Sequence, residues 1–280
     1  MNLFYLHLLL LAILQGISEL FPISSLGHSI LVPAVLDWPI DREAPWFLPY
    51  IVVLHLGTAA ALFVYFWRDW FTLLGNTWKV RGRVSDPQAR LFWLLVLGSI
   101  PAGILGLLFE HKVRALFGGF SVAAVFLMVN GVILIVGDRC KHRQARHALE
   151  SMGWGRAFLI GCAQALALIP GISRSGSTLV AGLMSGLDYA ASARFSFLLA
   201  TPIIGAAGLL EIPKLVNHSA ALPEGLLLTI IVGGILAGVF AWLSVWFLMR
   251  YFHKQEVTAL RPFGIYCLLA GATALTVHFI

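Results

Sequence analysis

Six stretches of this chain stay apolar for about 17–25 residues each, the length an α-helix needs to cross a bilayer core. They lie at 47–67, 91–109, 119–137, 195–212, 225–249 and 259–279. A segment in hydrocarbon must satisfy its own backbone hydrogen bonds, which leaves helices or closed barrels. The runs lack the two-residue alternation of barrel strands, so helices are expected. Charge agrees: 59% of the 280 residues are hydrophobic and 11% charged, against about 25% charged in a soluble domain. The expected fold class is an all-α polytopic membrane protein, with residues 1–280 forming one membrane domain.

Two further regions are apolar but broken. Residues 157–169 stop at Pro170-Gly171, and a second short segment, about 172–187, follows. Thirteen residues of helix rise only about 20 Å, too little for a core of about 30 Å. Residues 2–20 and 23–36 repeat that plan around Phe21-Pro22. Two short helices around a polar turn read as a re-entrant helical hairpin, tolerated where the turn is buried in protein or lines a cavity. Six spans plus two such hairpins are therefore expected. The start of the chain has no basic leader and no small-x-small cleavage site, and is read as mature structure.

The two halves share a pattern. Gln15-x7-Ile23-Ser24-x2-Gly27 matches Gln164-x7-Ile172-Ser173-x2-Gly176 at a constant offset of 149. Leu56-Gly57 and Ala102-Gly103 find weaker counterparts in Ile204-Gly205 and Ala237-Gly238. With one hairpin and three spans per half, the second repeat (157–280) is inverted relative to the first (1–137), as in inverted-repeat transporters. Loop charges suggest an orientation. Segments 68–90 and 138–156 each hold five basic against two acidic residues, and 250–261 holds three against one. The segments between them, 37–45, 110–118 and 213–224, are poor in Lys and Arg. The positive-inside rule then places the basic set in the cytoplasm and both termini outside.

Other classes recede. The net charge of +6 records loop orientation here, and no nucleic-acid motif accompanies it. Cys140, Cys162 and Cys267 stand singly, without metal spacing or a disulfide framework.

Within the apolar segments, only Glu19 and Arg174 interrupt long stretches with a charge; other Lys, Arg, Asp and Glu lie in connections or at their edges. An ionisable group in a membrane segment costs roughly 2.5–3.5 kcal/mol and marks function by default. The competing reading is a structural ion pair between two helices. Ser173, Arg174, Ser175, Gly176, Ser177 and Thr178 open a helix directly after Pro170-Gly171. Free N–H groups, the positive end of the helix dipole and a planar guanidinium suit a phosphate or carboxylate, whereas a hydroxyl cluster alone often only caps a helix. In the first turn, Ser24, Ser25, Gly27 and His28 follow Pro22. Ser25 and His28 lie three apart and can share a helix face, a serine nucleophile with an acid/base. Gln15 and Glu19, four apart, offer oxygens to a hard divalent cation, or Glu19 orients His28. His55 and His278 are expected to serve packing. A nucleophile, an acid/base, an acidic subsite and a cationic clamp together suit phosphoryl transfer.

These residues carry a resemblance. Gln15-Gly-Ile-Ser-Glu19 fits an (E/Q)-x-x-x-E motif, followed by Pro22-Ile-Ser24-Ser25-Leu-Gly27-His28, and Pro170-Gly-Ile-Ser173-Arg174-Ser175-Gly-Ser-Thr178 fits P-G-x-S-R-S-x-x-T. Together they resemble the undecaprenyl-diphosphate phosphatase family of bacterial inner membranes, over essentially the whole chain. The resemblance implies hydrolysis of undecaprenyl diphosphate to the monophosphate, the lipid carrier of cell-wall synthesis. It also implies a divalent cation, Mg2+ or Ca2+, held by Glu19 and Gln15, catalytic roles for Ser25, His28, Glu19 and Arg174, and a site open to the external leaflet. Gln15 stands where many members carry Glu, and a neutral amide is the weaker metal ligand. A homodimer is carried as a candidate assembly. The rivals are a transporter or lipid flippase on the same inverted repeat, and an intramembrane serine protease. Peptide hydrolysis has no need of Arg174.

Overall fold

The computed structural model describes residues 3–42, 44–109, 119–140, 149, 152–217, 225–254 and 258–279. Among them the chain forms helices and no strand. In order these are α1 (Leu3–Ser18), α2 (Ser25–Val35), α3 (Phe47–Tyr65), α4 (Trp67–Lys79), α5 (Pro87–Leu108), α6 (Phe120–Cys140), α7 (Trp154–Ala165, continued by a 3-10 turn over Leu166–Leu168), α8 (Arg174–Met184), α9 (Tyr189–Asn217), α10 (Leu226–Lys254) and α11 (Arg261–Phe279).

Six of these, α3, α5, α6, α9, α10 and α11, are long and apolar enough to cross a membrane, and they coincide with the six expected spans. Their outward faces carry exposed Ile104, Leu107, Ile235 and Leu269, the kind of apolar surface that a membrane covers. The inward faces approach closely because small residues line them. A Cβ on Gly57 of α3 would overlap the Gly234 carbonyl of α10, so the pair packs backbone against backbone, as helices in membranes do where Gly allows it. α3 packs on α10 and α9, α1 on α10, α5 on α7, and α6 on α11.

The remaining apolar helices are short: 16 residues in α1, 11 in α2, 12 in α7 and 11 in α8. Each pair breaks at the expected proline. The two breaks restart in the same way, with Ser24 and Ser173 as N-caps accepting from the Gly27 and Gly176 N–H groups at 3.2 and 3.1 Å. Gly171 has φ +101°, and a Cβ there would overlap the Ala123 carbonyl of α6. That position demands glycine twice over, for its dihedral and for its contact.

One element departs from expectation. Residues 68–90 read as a charged connection, yet Trp67–Lys79 is helical. Trp67, Phe71, Leu74 and Trp78 form an exposed stripe at helical spacing, while Trp70 and Leu73 turn inward and are buried. The helix is amphipathic, too polar to span, and tied down by an Asp69–Arg194 ion pair. Segments 110–118 and parts of 138–156, 213–224 and 250–261, whose charges carry the orientation argument, lie outside the described residues.

Candidate active site

The polar turns of the two broken pairs meet inside the bundle. Glu19 directly follows α1: its N–H still donates to the Gln15 carbonyl at 2.9 Å, so Gln15 and Glu19 share one face. The Glu19 side chain is only 5% exposed, and four donors converge on it. The Gln15 amide donates to Oε2 at 3.0 Å, and the Ser25 hydroxyl, at the first position of α2, donates to the same oxygen at 2.5 Å. Arg174, at the first position of α8, places Nη2 2.9 Å from Oε1. His55, in the middle of α3, brings Nε2 to 3.2 Å from Oε2. The Glu19–Arg174 ion pair is therefore real, but it is embedded in a hydroxyl, an amide and an imidazole rather than standing as a helix-to-helix strut.

One side chain holds the two turns in register. Asn130 of α6 is fully buried. Its amide nitrogen donates to the Pro22 carbonyl in the first turn at 3.0 Å, and its carbonyl accepts from the Ser173 N–H in the second at 3.0 Å. Gly27 sits against Gly171, where an added Cβ would lie 3.1 Å from the Gly171 Cα.

A cavity of about 280 Å3 opens onto this cluster, its polar lining Glu19, Ser24, Ser25, His55, Gln164, Ser173 and Arg174, with Leu48, Ile51, Ile203 and Ile204 among its apolar walls. The expected site residues fall into two groups around it. Glu19, Ser24, Ser25, Ser173 and Arg174 line the cavity, and Gln15 is hydrogen-bonded to Glu19. Ser175 donates to the Phe21 carbonyl at 3.1 Å, and Thr178 Oγ1 meets Ser196 Oγ at 2.6 Å and donates to the Arg174 carbonyl at 2.8 Å. Those hydroxyls brace the second turn. Gly27, Gly176 and Ser177 also lie outside the lining.

Ser25 and His28 make no hydrogen bond to each other. His28 Nδ1 faces the Ser24 carbonyl at 2.8 Å and must carry its hydrogen there, since a carbonyl only accepts. Its Nε2 then accepts from the Tyr266 hydroxyl of α11 at 2.7 Å, with the two rings stacked. Both nitrogens are occupied, and His28 does not line the cavity. The histidine that reaches the cluster is His55. A sequence signal for it existed: an ionisable side chain in the middle of an apolar run. Asn130, Tyr266 and Ser196, polar groups likewise placed inside apolar runs, are further members that sequence reasoning passed over.

Fold and site together define a polytopic helical membrane protein whose two interrupted helix pairs bring a carboxylate, a serine hydroxyl and a guanidinium to the end of an apolar cavity. Residues 8–273 match the family described as bacitracin resistance protein BacA, and the chain belongs to that family. It is 58% identical to undecaprenyl-diphosphatase 2 of Chromobacterium violaceum, covering 95% of this chain and 96% of that one. Undecaprenyl-diphosphatases of Granulibacter bethesdensis and Acidiphilium cryptum are 47% and 46% identical, the former over 96% of this chain and 95% of its own length, the latter over 95% of each.

Proposed function

We propose that this protein hydrolyses undecaprenyl diphosphate to undecaprenyl phosphate and inorganic phosphate, as the names of its relatives state for them. The observation that carries the reading is the Ser25 hydroxyl held 2.5 Å from Glu19 Oε2 while Arg174 holds Oε1 at 2.9 Å. A hydroxyl aimed at a carboxylate is a nucleophile with a base in reach. A guanidinium beside it is a fork that suits phosphate oxygens. The amphipathic cavity accommodates a charged head next to hydrocarbon.

In the reaction, the diphosphate draws Arg174 from Glu19 onto its phosphate oxygens, with the Ser173 hydroxyl and the start of α8 beside it. Ser25 Oγ attacks the terminal phosphorus. The Oγ–P bond forms as the bridging O–P bond breaks, prenyl monophosphate leaves, and the serine proton passes to Glu19. Water then attacks the phosphoserine, inorganic phosphate departs, and Ser25 recovers a proton. His28, with its ring fixed between Ser24 and Tyr266, supports this step by holding the start of α2 in place. The family resemblance implies a divalent cation, Mg2+ or Ca2+, and one observation supports a place for it beside Glu19. Gln15 Oε1 is buried without a hydrogen-bond partner, a spare oxygen next to a carboxylate. Gln15 and Glu19 would hold the ion, which would neutralise charge on the diphosphate.

The two short helix pairs are read as re-entrant hairpins of an inverted repeat. Their lengths and the paired serine caps support this. The family resemblance supports a place in the bacterial inner membrane with the site open to the external leaflet, and the loop charges support cytoplasmic basic segments. Substituted-cysteine labelling tests that orientation: position 41 should react from outside and position 85 only from the cytoplasm. The function itself is tested by giving detergent-solubilised protein a polyprenyl diphosphate and measuring inorganic phosphate. A transporter on the same plan would bind the lipid and release none.

A further inference from the structure

We infer that His55 is a positioning residue of the reaction, the donor that keeps the Glu19 carboxylate aligned with Ser25 once substrate has taken Arg174 away. This rests on the proposed phosphatase reading of the same site.

The ring is held in one orientation. Nδ1 lies 2.8 Å from the Ile51 carbonyl one turn earlier in α3, and a carbonyl can only accept, so Nδ1 carries a hydrogen. Nε2 therefore points away from its own helix, to 3.2 Å from Glu19 Oε2, and it donates to that carboxylate as the imidazolium, in which both ring nitrogens carry a hydrogen. The imidazole is 24% exposed, and its open face lines the cavity.

The arrangement on Glu19 divides by oxygen. Among the described residues Arg174 holds Oε1, while Ser25, Gln15 and His55 hold Oε2. A phosphate group that recruits Arg174 removes that restraint on Oε1. Ser25 cannot hold the carboxylate in its place, because its proton is the one being given up. His55 and Gln15 are then what prevents Glu19 from rotating off the serine. Both approach from fixed helices, α3 and α1. Misplacement of a base by about 1 Å costs about 10²-fold in rate, so a donor that fixes Glu19 acts on turnover and not on affinity.

Two substitutions separate this role from packing. In His55→Gln the amide nitrogen reaches about as far as Nε2. In His55→Asn it reaches only as far as Nδ1, toward the Ile51 carbonyl. Both are polar and compatible with the helix. Full-length protein in detergent, assayed for phosphate release from a polyprenyl diphosphate, should show His55→Gln within about threefold of the parent kcat. His55→Asn should fall about tenfold or more in kcat with KM changed less than about threefold, and the two should have similar thermal midpoints. In a Glu19→Gln background, His55→Asn should add little further loss, because the partner it positions is gone. Equal activity of the Gln and Asn variants, or a loss confined to KM, or a full additional loss in the Glu19→Gln background would each overturn the inference. Failure of the parent protein to release phosphate would overturn the proposed function, and this role with it.

Discussion

Glu19 and Arg174 stand 155 positions apart in the chain, yet Arg174 Nη2 lies 2.9 Å from Glu19 Oε1. Each sits at the break of one of the two short helix pairs, so this contact is where the two pairs meet chemically. Removing either charge would strand the other in a buried place, at a cost of about 3–5 kcal/mol. Arg174→Lys is therefore the informative change. It keeps the charge and the ion pair with Glu19 but loses the planar fork. A folded Arg174→Lys protein should lose about 10²-fold in kcat/KM, or roughly 2.7 kcal/mol of transition-state binding. Near-normal turnover would reduce Arg174 to a structural partner.

Ser24 and Ser25 are adjacent but differently employed. Ser25 donates to Glu19, whereas Ser24 caps α2 through the Gly27 N–H and adopts φ +67°. Ser25→Ala should lower kcat by orders of magnitude with little effect on folding. Ser24→Ala should instead take about 1 kcal/mol from stability and leave most of the turnover. Steady-state rates and thermal midpoints of both variants decide this. Equal, mild losses in kcat would point to water as the attacking group.

Gln15 carries the prediction about metal. Its Oε1 has no partner and its amide nitrogen is spent on Glu19. Excess chelator should suppress phosphate release, and added Mg2+ or Ca2+ should restore it. Gln15→Glu should shift the metal titration to lower concentration. Undiminished activity in chelator would remove the cation from the site.

The spans were legible because hydrocarbon imposes a length, and Pro22 and Pro170-Gly171 were legible because a proline break leaves helices too short to cross. Glu19 and Arg174 were legible because charge at that depth is costly. What escaped were groups whose meaning depends on a partner distant in sequence. His55 looked like a packing residue until Glu19 was found against it. The spacing of Ser25 and His28 suggested a pair, but α2 starts with Ser25 turned to Glu19 and His28 turned to Tyr266. One turn of helix settles which way each side chain faces, and spacing alone does not. α4 was hidden by its own charges, since its apolar stripe is interleaved with Arg68, Asp69 and Lys79. The two Ser-rich turns were the most legible part of the site, because their residues are close in sequence and need no distant partner to be read.

Asn130 offers the sharpest separation between building the site and running it. It does not itself line the cavity, but its one amide joins the Pro22 carbonyl to the N–H of Ser173, which does. Asn130→Leu keeps the branched four-atom outline and leaves both backbone groups buried without partners, at about 1–3 kcal/mol each. Membrane measurements put single side-chain hydrogen bonds nearer 0.6 kcal/mol, so a loss of about 1–4 kcal/mol is expected. The thermal midpoint should fall, and kcat should fall with it, because the two turns no longer hold Ser25 and Arg174 at a set distance. Asn130→Asp should lose the bond to Pro22 while keeping an acceptor for Ser173. It should therefore spare the start of α8 yet still lower turnover. A full kcat in either variant, at a temperature where the protein remains folded, would show that the turns hold their register without Asn130.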